Sequence, residues 1–135
     1  MKLVVDANTL FSAYLKGGLT RKLWFDRRLE LYAPAMLALE FGKYAAELQK
    51  RSGLRQNESA RLTTLLFGRI NVVRDEEMTP YAGAARHLTT DEKDEAYIAA
   101  ALAIGADLWT RDRDLRQPRI RVWRTEEIAE ELGLV

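Results

Sequence analysis

Short apolar runs alternate along the chain with longer stretches in which apolar residues recur every three or four positions. Lys2–Val5, Leu29–Tyr32, Ile70–Val73, Asp107–Thr110 and Arg119–Trp123 have strand length and read as strands, most of them short and apolar enough to be buried on both faces. The stretches between them read as amphipathic helices. Asn8 is placed to cap one that carries Leu10, Phe11, Tyr14 and Leu15 and ends at Gly17-Gly18, and Thr20 to cap a second with Leu23, Trp24 and Phe25. Pro34 suits the first turn of a third, which runs to about Lys50 with Leu37, Phe41, Tyr44 and Leu48 toward the core and leaves at Gly53. Asn57 or Ser59 opens a fourth through Leu62, Leu65 and Leu66. Pro80–Leu88 is a short helix, Asp91–Ile104 an alanine-rich one ended by Gly105, and Thr125 with Glu126 and Glu127 opens the last, stopped by Gly133. Strands that alternate with helices predict a three-layer α/β/α sandwich around a central parallel sheet of about five strands. No linker, repeat or low-complexity stretch divides the 135 residues, so one domain spanning 1–135 is expected.

Composition removes several chemistries. There is no cysteine, which excludes disulfides, thiolate nucleophiles and cysteine-based zinc sites, and a single histidine, His87, cannot build a histidine-rich metal site. P-loop and GxGxxG motifs are absent, Asp6-Ala7-Asn8 lacks the second acid of a DxD phosphatase signature, and Ile70–Val73 holds no phosphoacceptor aspartate. Met1-Lys2 leads straight into a strand, which is neither a signal peptide nor a membrane span, and a cytoplasmic protein is expected. The net charge of +1 hides an asymmetry: residues 1–74 carry 13 basic against 6 acidic side chains, and residues 75–135 carry 8 against 14. That distribution suits a polyanion approaching an acidic centre, and equally suits ordinary surface charge.

The acids that change the picture are Asp6, Glu40, Asp94 and Asp112, each where a strand ends or a helix runs near its start. Asp6 and Asp112 follow apolar strands, at the edge where open α/β sheets bind ligands. Four carboxylates gathered there repel one another unless a cation neutralises them, and an all-oxygen set selects Mg²⁺ or Mn²⁺. Each acid also has an ordinary structural use. Asp6 can begin a turn, Glu40 can sit on an exposed helix face, and Asp94 can be a first-turn acid that competes with Asp91.

Together the segments Val4-Val5-Asp6-Ala7-Asn8-Thr9, Pro34 to Glu40, Asp91-Glu92-Lys93-Asp94-Glu95-Ala96-Tyr97-Ile98-Ala99 and Gly105 to Leu115 resemble the PIN-domain ribonucleases, the fold of VapC-type toxins, over nearly the whole chain. The resemblance implies that Asp6, Glu40, Asp94 and Asp112 are the catalytic, metal-binding acids, with Asp114 auxiliary and Asp91 a helix cap. It implies a Mg²⁺- or Mn²⁺-dependent endoribonuclease that leaves 5′-phosphate and 3′-hydroxyl ends. It also implies a homodimer and a small antitoxin partner, although an RNA-processing nuclease without an antitoxin and a noncatalytic nucleic-acid-binding module are alternatives. Leu10, Phe11, Tyr14, Leu62, Leu65 and Leu66 add apolar surface that suits a dimer. Asn8 and Thr110, beside Asp6 and Asp112, suit hydrogen bonds that orient those carboxylates. Because carboxylates repel phosphates, RNA binding falls to arginines, first Arg111, Arg113 and Arg116.

Overall fold

Five parallel strands, β1 (Lys2–Val5), β2 (Glu30–Pro34), β3 (Ile70–Val73), β4 (Asp107–Trp109) and β5 (Val122–Trp123), lie in the order β3-β2-β1-β4-β5. The structure is a computed structural model that describes residues 1–135. The chain builds outward from β1 through β2 to β3, then returns to the other side of β1 for β4 and β5. Strand order therefore reverses between β1 and β4, and the crevice at their carboxyl ends is the place where such sheets hold ligands. The register pairs Val4 with Leu108 and Val5 with Trp109. One residue further along, Asp6 and Thr110 leave their strands side by side.

Eight helices complete the three layers: α1 (Ala7–Leu15), α2 (Leu19–Trp24), α3 (Met36–Ser52), α4 (Gln56–Phe67), α5 (Asp75–Met78), α6 (Ala82–Leu88), α7 (Glu92–Ile104) and α8 (Thr125–Glu131). Helix α7 packs on β1, β2 and β4 with α5 and α6 against it, while α1 to α4 and α8 form the other group. Right-handed crossovers require this split, because the order of strands reverses midway. Thirty-one buried apolar residues make one core cluster, in which the rings of Trp24 and Trp109 lie 5.9 Å apart.

Local chemistry explains where the elements differ from the expected ones. Asp6, not Asn8, caps α1, accepting from Thr9 N–H. Helix α2 starts at Leu19 behind Gly18, so Thr20 is inside it. Pro34 ends β2 opposite Val73 and does not open α3, since only the chain beyond Ala35 turns helical. Helix α4 starts earlier than Asn57, where Glu58 accepts from Arg55 N–H. The Arg119–Trp123 strand shrinks to two residues. Tyr44 is 46% exposed and not in the core. Leu10, Tyr14 and Leu66 are fully committed to the core, which leaves Leu65, at 55% exposure, as the open one of the surplus apolar set. Asp91 does cap α7, its Oδ1 accepting from Lys93 N–H at 3.0 Å, and Gly105 ends that helix at φ +64°.

Candidate active site

Asp6 is held by three donors. Its Oδ1 accepts from Thr9 N–H at 2.9 Å and from the Thr9 hydroxyl at 2.7 Å, and its Oδ2 accepts from the Thr110 hydroxyl at 2.5 Å. Thr110 Oγ1 in turn accepts from Asp112 N–H at 2.9 Å, so one hydroxyl ties the end of β1 to the loop after β4. Asp112 caps the 3₁₀ turn Arg113–Leu115, its Oδ1 accepting from Asp114 N–H at 2.9 Å.

Asp94 and Tyr97 are three residues apart on α7, which puts both on the face turned to this crevice. Asp94 is 6% exposed, and its Oδ2 is buried with no hydrogen-bond partner. Tyr97 donates its phenolic hydrogen to Glu40 Oε1 at 2.7 Å, and so reaches across from α7 to α3. The resulting cleft, about 370 Å³, is lined by Asp6, Glu40, Asp91, Asp94 and Asp112 together with Asn8, Lys93, Phe11 and Tyr44.

All four proposed acids therefore face one cleft, while the other predicted residues divide. Asp114 is exposed and borders a neighbouring pocket beside His87 and Asp91. Asn8 lines the cleft but forms no hydrogen bond with either acid; Thr9 and Thr110 supply those bonds. Arg111 points to Glu126, its Nη2 lying 2.6 Å from Oε1. Arg113 is exposed, and Arg116 opens onto a separate pocket beyond the 3₁₀ turn.

The electrostatics are those of crowded anions. Burial pushes the Asp94 carboxyl up to about 6, and the charges of Asp112, Asp91, Asp114 and Asp6 push the same way. Burial raises Asp6 as well, against the hydrogen bonds from Thr110 and Thr9. Tyr97 is raised by burial and by its bond to Glu40, so it stays a donor throughout the accessible pH range.

A family model for the PIN domain matches residues 4–133. The chain belongs to the PIN-domain family. No curated protein matches it. Among solved structures it resembles the crystal structure of VapBC2 from Rickettsia felis bound to a DNA fragment from their promoter, at TM-score 0.70 and 15% identity, over 92% of this chain and 98% of that one. Identity that low compares folds, and the fold agrees.

PIN domains are a nuclease family. The donor set in this PIN domain fits a hard divalent cation in kind: carboxylate oxygens only, one of them buried without a partner. It is not a finished chelate, because no three acidic or histidine side chains converge closely enough to hold an ion as they stand. No helix is long and apolar enough to cross a membrane. Three residues escape a reading based on acids alone: Thr9, which bonds Asp6 from behind, and Tyr97 and Lys93, which line the cleft. Thr9 is signalled by its place three residues after a capping aspartate, and Tyr97 by its place one turn after Asp94. Nothing in the pattern distinguishes Lys93 from any other first-turn lysine.

Proposed function

We propose that this PIN domain is a Mg²⁺- or Mn²⁺-dependent endoribonuclease acting as the toxin of a toxin–antitoxin pair. In this reading Asp6, Glu40, Asp94 and Asp112 are the catalytic, metal-holding acids and Asp114 is an auxiliary one. The observation that supports it most is Asp94 Oδ2, an unpartnered carboxylate oxygen buried in a cleft of like charges. Such an oxygen is costly unless a cation or a proton meets it. A bound divalent ion would supply a water of lowered pKa and offset the charge that builds on phosphorus.

The remaining work falls to the chain's own groups. Thr9 and Thr110 fix Asp6 in one orientation, and Thr110 couples it to Asp112. Tyr97 fixes Glu40. Lys93, at the rim, is the cation nearest in sequence to Asp94 and offers the approaching phosphate an attractive charge. Phe11 and Tyr44, with ring centroids 5.6 Å apart, form an apolar wall on which an unpaired base can rest. The VapBC2 likeness supports a small antitoxin as partner and the exposed Leu65 and Leu39 support a homodimer; a single domain in the cytoplasm is part of the same proposal.

The test is cleavage of end-labelled single-stranded RNA with Mg²⁺ or Mn²⁺, with an EDTA control and the Asp6→Asn and Asp94→Asn variants. Metal-dependent cutting that both variants lose is the expected result; cutting that survives in both overturns the assignment. The second reading is a noncatalytic nucleic-acid-binding module, and RNA binding without calorimetrically detectable metal binding would select it.

A further inference from the structure

We infer that the β4–β5 connection carries a second RNA site, a pocket of arginines that grips the phosphodiester backbone of the substrate strand away from the cleavage cleft. This rests on the ribonuclease reading above. The connection is the one crossover without an α-helix; it contains only the 3₁₀ turn Arg113–Leu115. It leaves open a pocket of about 550 Å³ beside β5, lined by Arg116, Arg119 and Arg121 with Gln117, Val122 and Glu127 among its walls.

The pocket is built in advance. The Gln117 side chain stitches the loop, with Oε1 accepting from Arg119 N–H at 2.7 Å and Ile120 N–H at 2.9 Å and Nε2 donating to Ile120 O at 2.8 Å. The Arg121 guanidinium lies 3.7 Å from the centroid of the Trp123 ring. That ring is itself buried and anchored through Nε1 to Asp107 Oδ2 at 2.8 Å. Stacking of this kind orients a guanidinium while leaving its fork free.

The pocket also carries an excess of positive charge, three arginines against one acid. The ion pairs of the molecule join Arg28 to Asp26, Arg55 to Glu58, Arg74 to Glu77 and Arg111 to Glu126, and none includes Arg116, Arg119 or Arg121. The only acid in the wall, Glu127, accepts from Arg124 N–H at 2.8 Å at the start of α8. Three arginines against one carboxylate leave the pocket a net positive charge that favours an anion with several oxygens, and a phosphate takes the guanidinium fork two-fold. Continuity with the cleft points to the substrate strand. Arg116 closes the turn that Asp112 opens, and the connection then descends to the amino end of β5, where Val122 lies opposite Leu108, two residues before Thr110 or roughly 7 Å along the sheet edge at about 3.3 Å per residue.

The test uses fluorescence anisotropy of labelled single-stranded RNA in EDTA, where binding is read without cleavage, on wild type and Arg119→Gln/Arg121→Gln. Thermal melts check that the variant is folded. For an RNA of about 15–20 nucleotides the variant should bind about tenfold more weakly, with a salt slope smaller by about 1.4, which is about 0.7 for each lost single-strand phosphate contact. For a dinucleotide, whose one internal phosphodiester cannot occupy cleft and pocket together, the loss should be far smaller. Equal affinity and equal salt slope for the long RNA overturn the site, whatever the cleavage assay gives. Loss confined to duplex DNA or an acidic peptide overturns it as an RNA site. Arginine-dependent RNA binding by a protein that cuts nothing keeps the site and sinks the ribonuclease reading alone.

Discussion

Tyr97 Oη and Glu40 Oε1 are 2.7 Å apart, and this bond is what brings a half-buried glutamate on α3 to the cleft beside Asp94 on α7. Without a donor, Glu40 has no reason to choose the rotamer that faces its fellow acids. Tyr97 is thus a positioning residue in the proposed reaction. Tyr97→Phe keeps the ring in the core and removes only the hydroxyl. The expected result is a loss of about 10–100-fold in divalent-metal affinity or cleavage, with stability changed by about 1 kcal/mol. Titration calorimetry with Mn²⁺ reads the effect independently of RNA. Wild-type metal affinity in the variant would show that Glu40 does not depend on this bond.

Thr110 donates to Asp6 and accepts from Asp112, which makes it the hinge pin of the two strand ends at the switch point. Thr110→Val removes both bonds at nearly constant volume and strands Asp6 Oδ2 in a buried place. The unmade bonds should destabilise the protein by about 1–3 kcal/mol, and metal affinity should fall. Thr110→Ser keeps the hydroxyl and should recover most of both. A serine variant as impaired as the valine one would mean that the methyl group's packing matters, not the hydrogen bonds.

The sheet was legible in the apolar runs, and the meeting of the four acids in one cleft was legible through the family resemblance as much as through their positions. Short apolar runs between helical stretches survive most tertiary contexts, and Asp6 is marked by its place directly after β1. The errors lie where two residues compete for one role. Asp6 and Asn8 can both cap a helix, and the winner is Asp6 because Thr9 and Thr110 hold it there. Tyr44 shares the helical spacing of Leu37, Phe41 and Leu48, yet it lies beside the cleft with Phe11 because Glu40, one turn before it, also turns that way. The division of the arginines was hidden altogether. Whether Arg111 pairs with Glu126 and Arg121 lies on Trp123 depends on how the β4–β5 loop returns, which no local pattern encodes.

Arg111 and Glu126 form a pair that is more than half exposed on both sides. Such pairs contribute about 0–1 kcal/mol, so the pair does more to occupy Arg111 than to stabilise the fold. Glu126→Gln should lower stability only slightly, part of it through loss of an acid in the first turn of α8. By freeing a guanidinium near the cleft it should tighten RNA binding a few-fold at low salt, with the gain fading as salt rises. Anisotropy titrations at two ionic strengths measure this. Unchanged affinity at low salt would place Arg111 outside the RNA path.

Asp94 gives the cleft a pH signature. Its carboxyl is raised from 3.8 to about 6, so in metal-free protein the buried group resists ionisation. Below about pH 3.8 it is protonated in both folded and unfolded chains, and its contribution to stability is fully present. As pH rises toward and through about 6 the unfolded chain releases the proton readily and the folded one does so against burial and like charge, so that contribution is lost. Asp6, also raised, acts in the same direction. Asp94→Asn removes the titration. In EDTA the variant should be more stable than wild type at pH 7, on the order of 1–3 kcal/mol once solvent on the open side of the cleft is allowed for. The difference should shrink toward zero near pH 4. Mn²⁺ at pH 7 should then raise the Tm of wild type and leave that of the variant nearly unmoved, because the ion supplies the positive charge that the buried oxygen lacks. Wild type and variant melting together at both pH values in EDTA would mean that Asp94 is not under electrostatic stress.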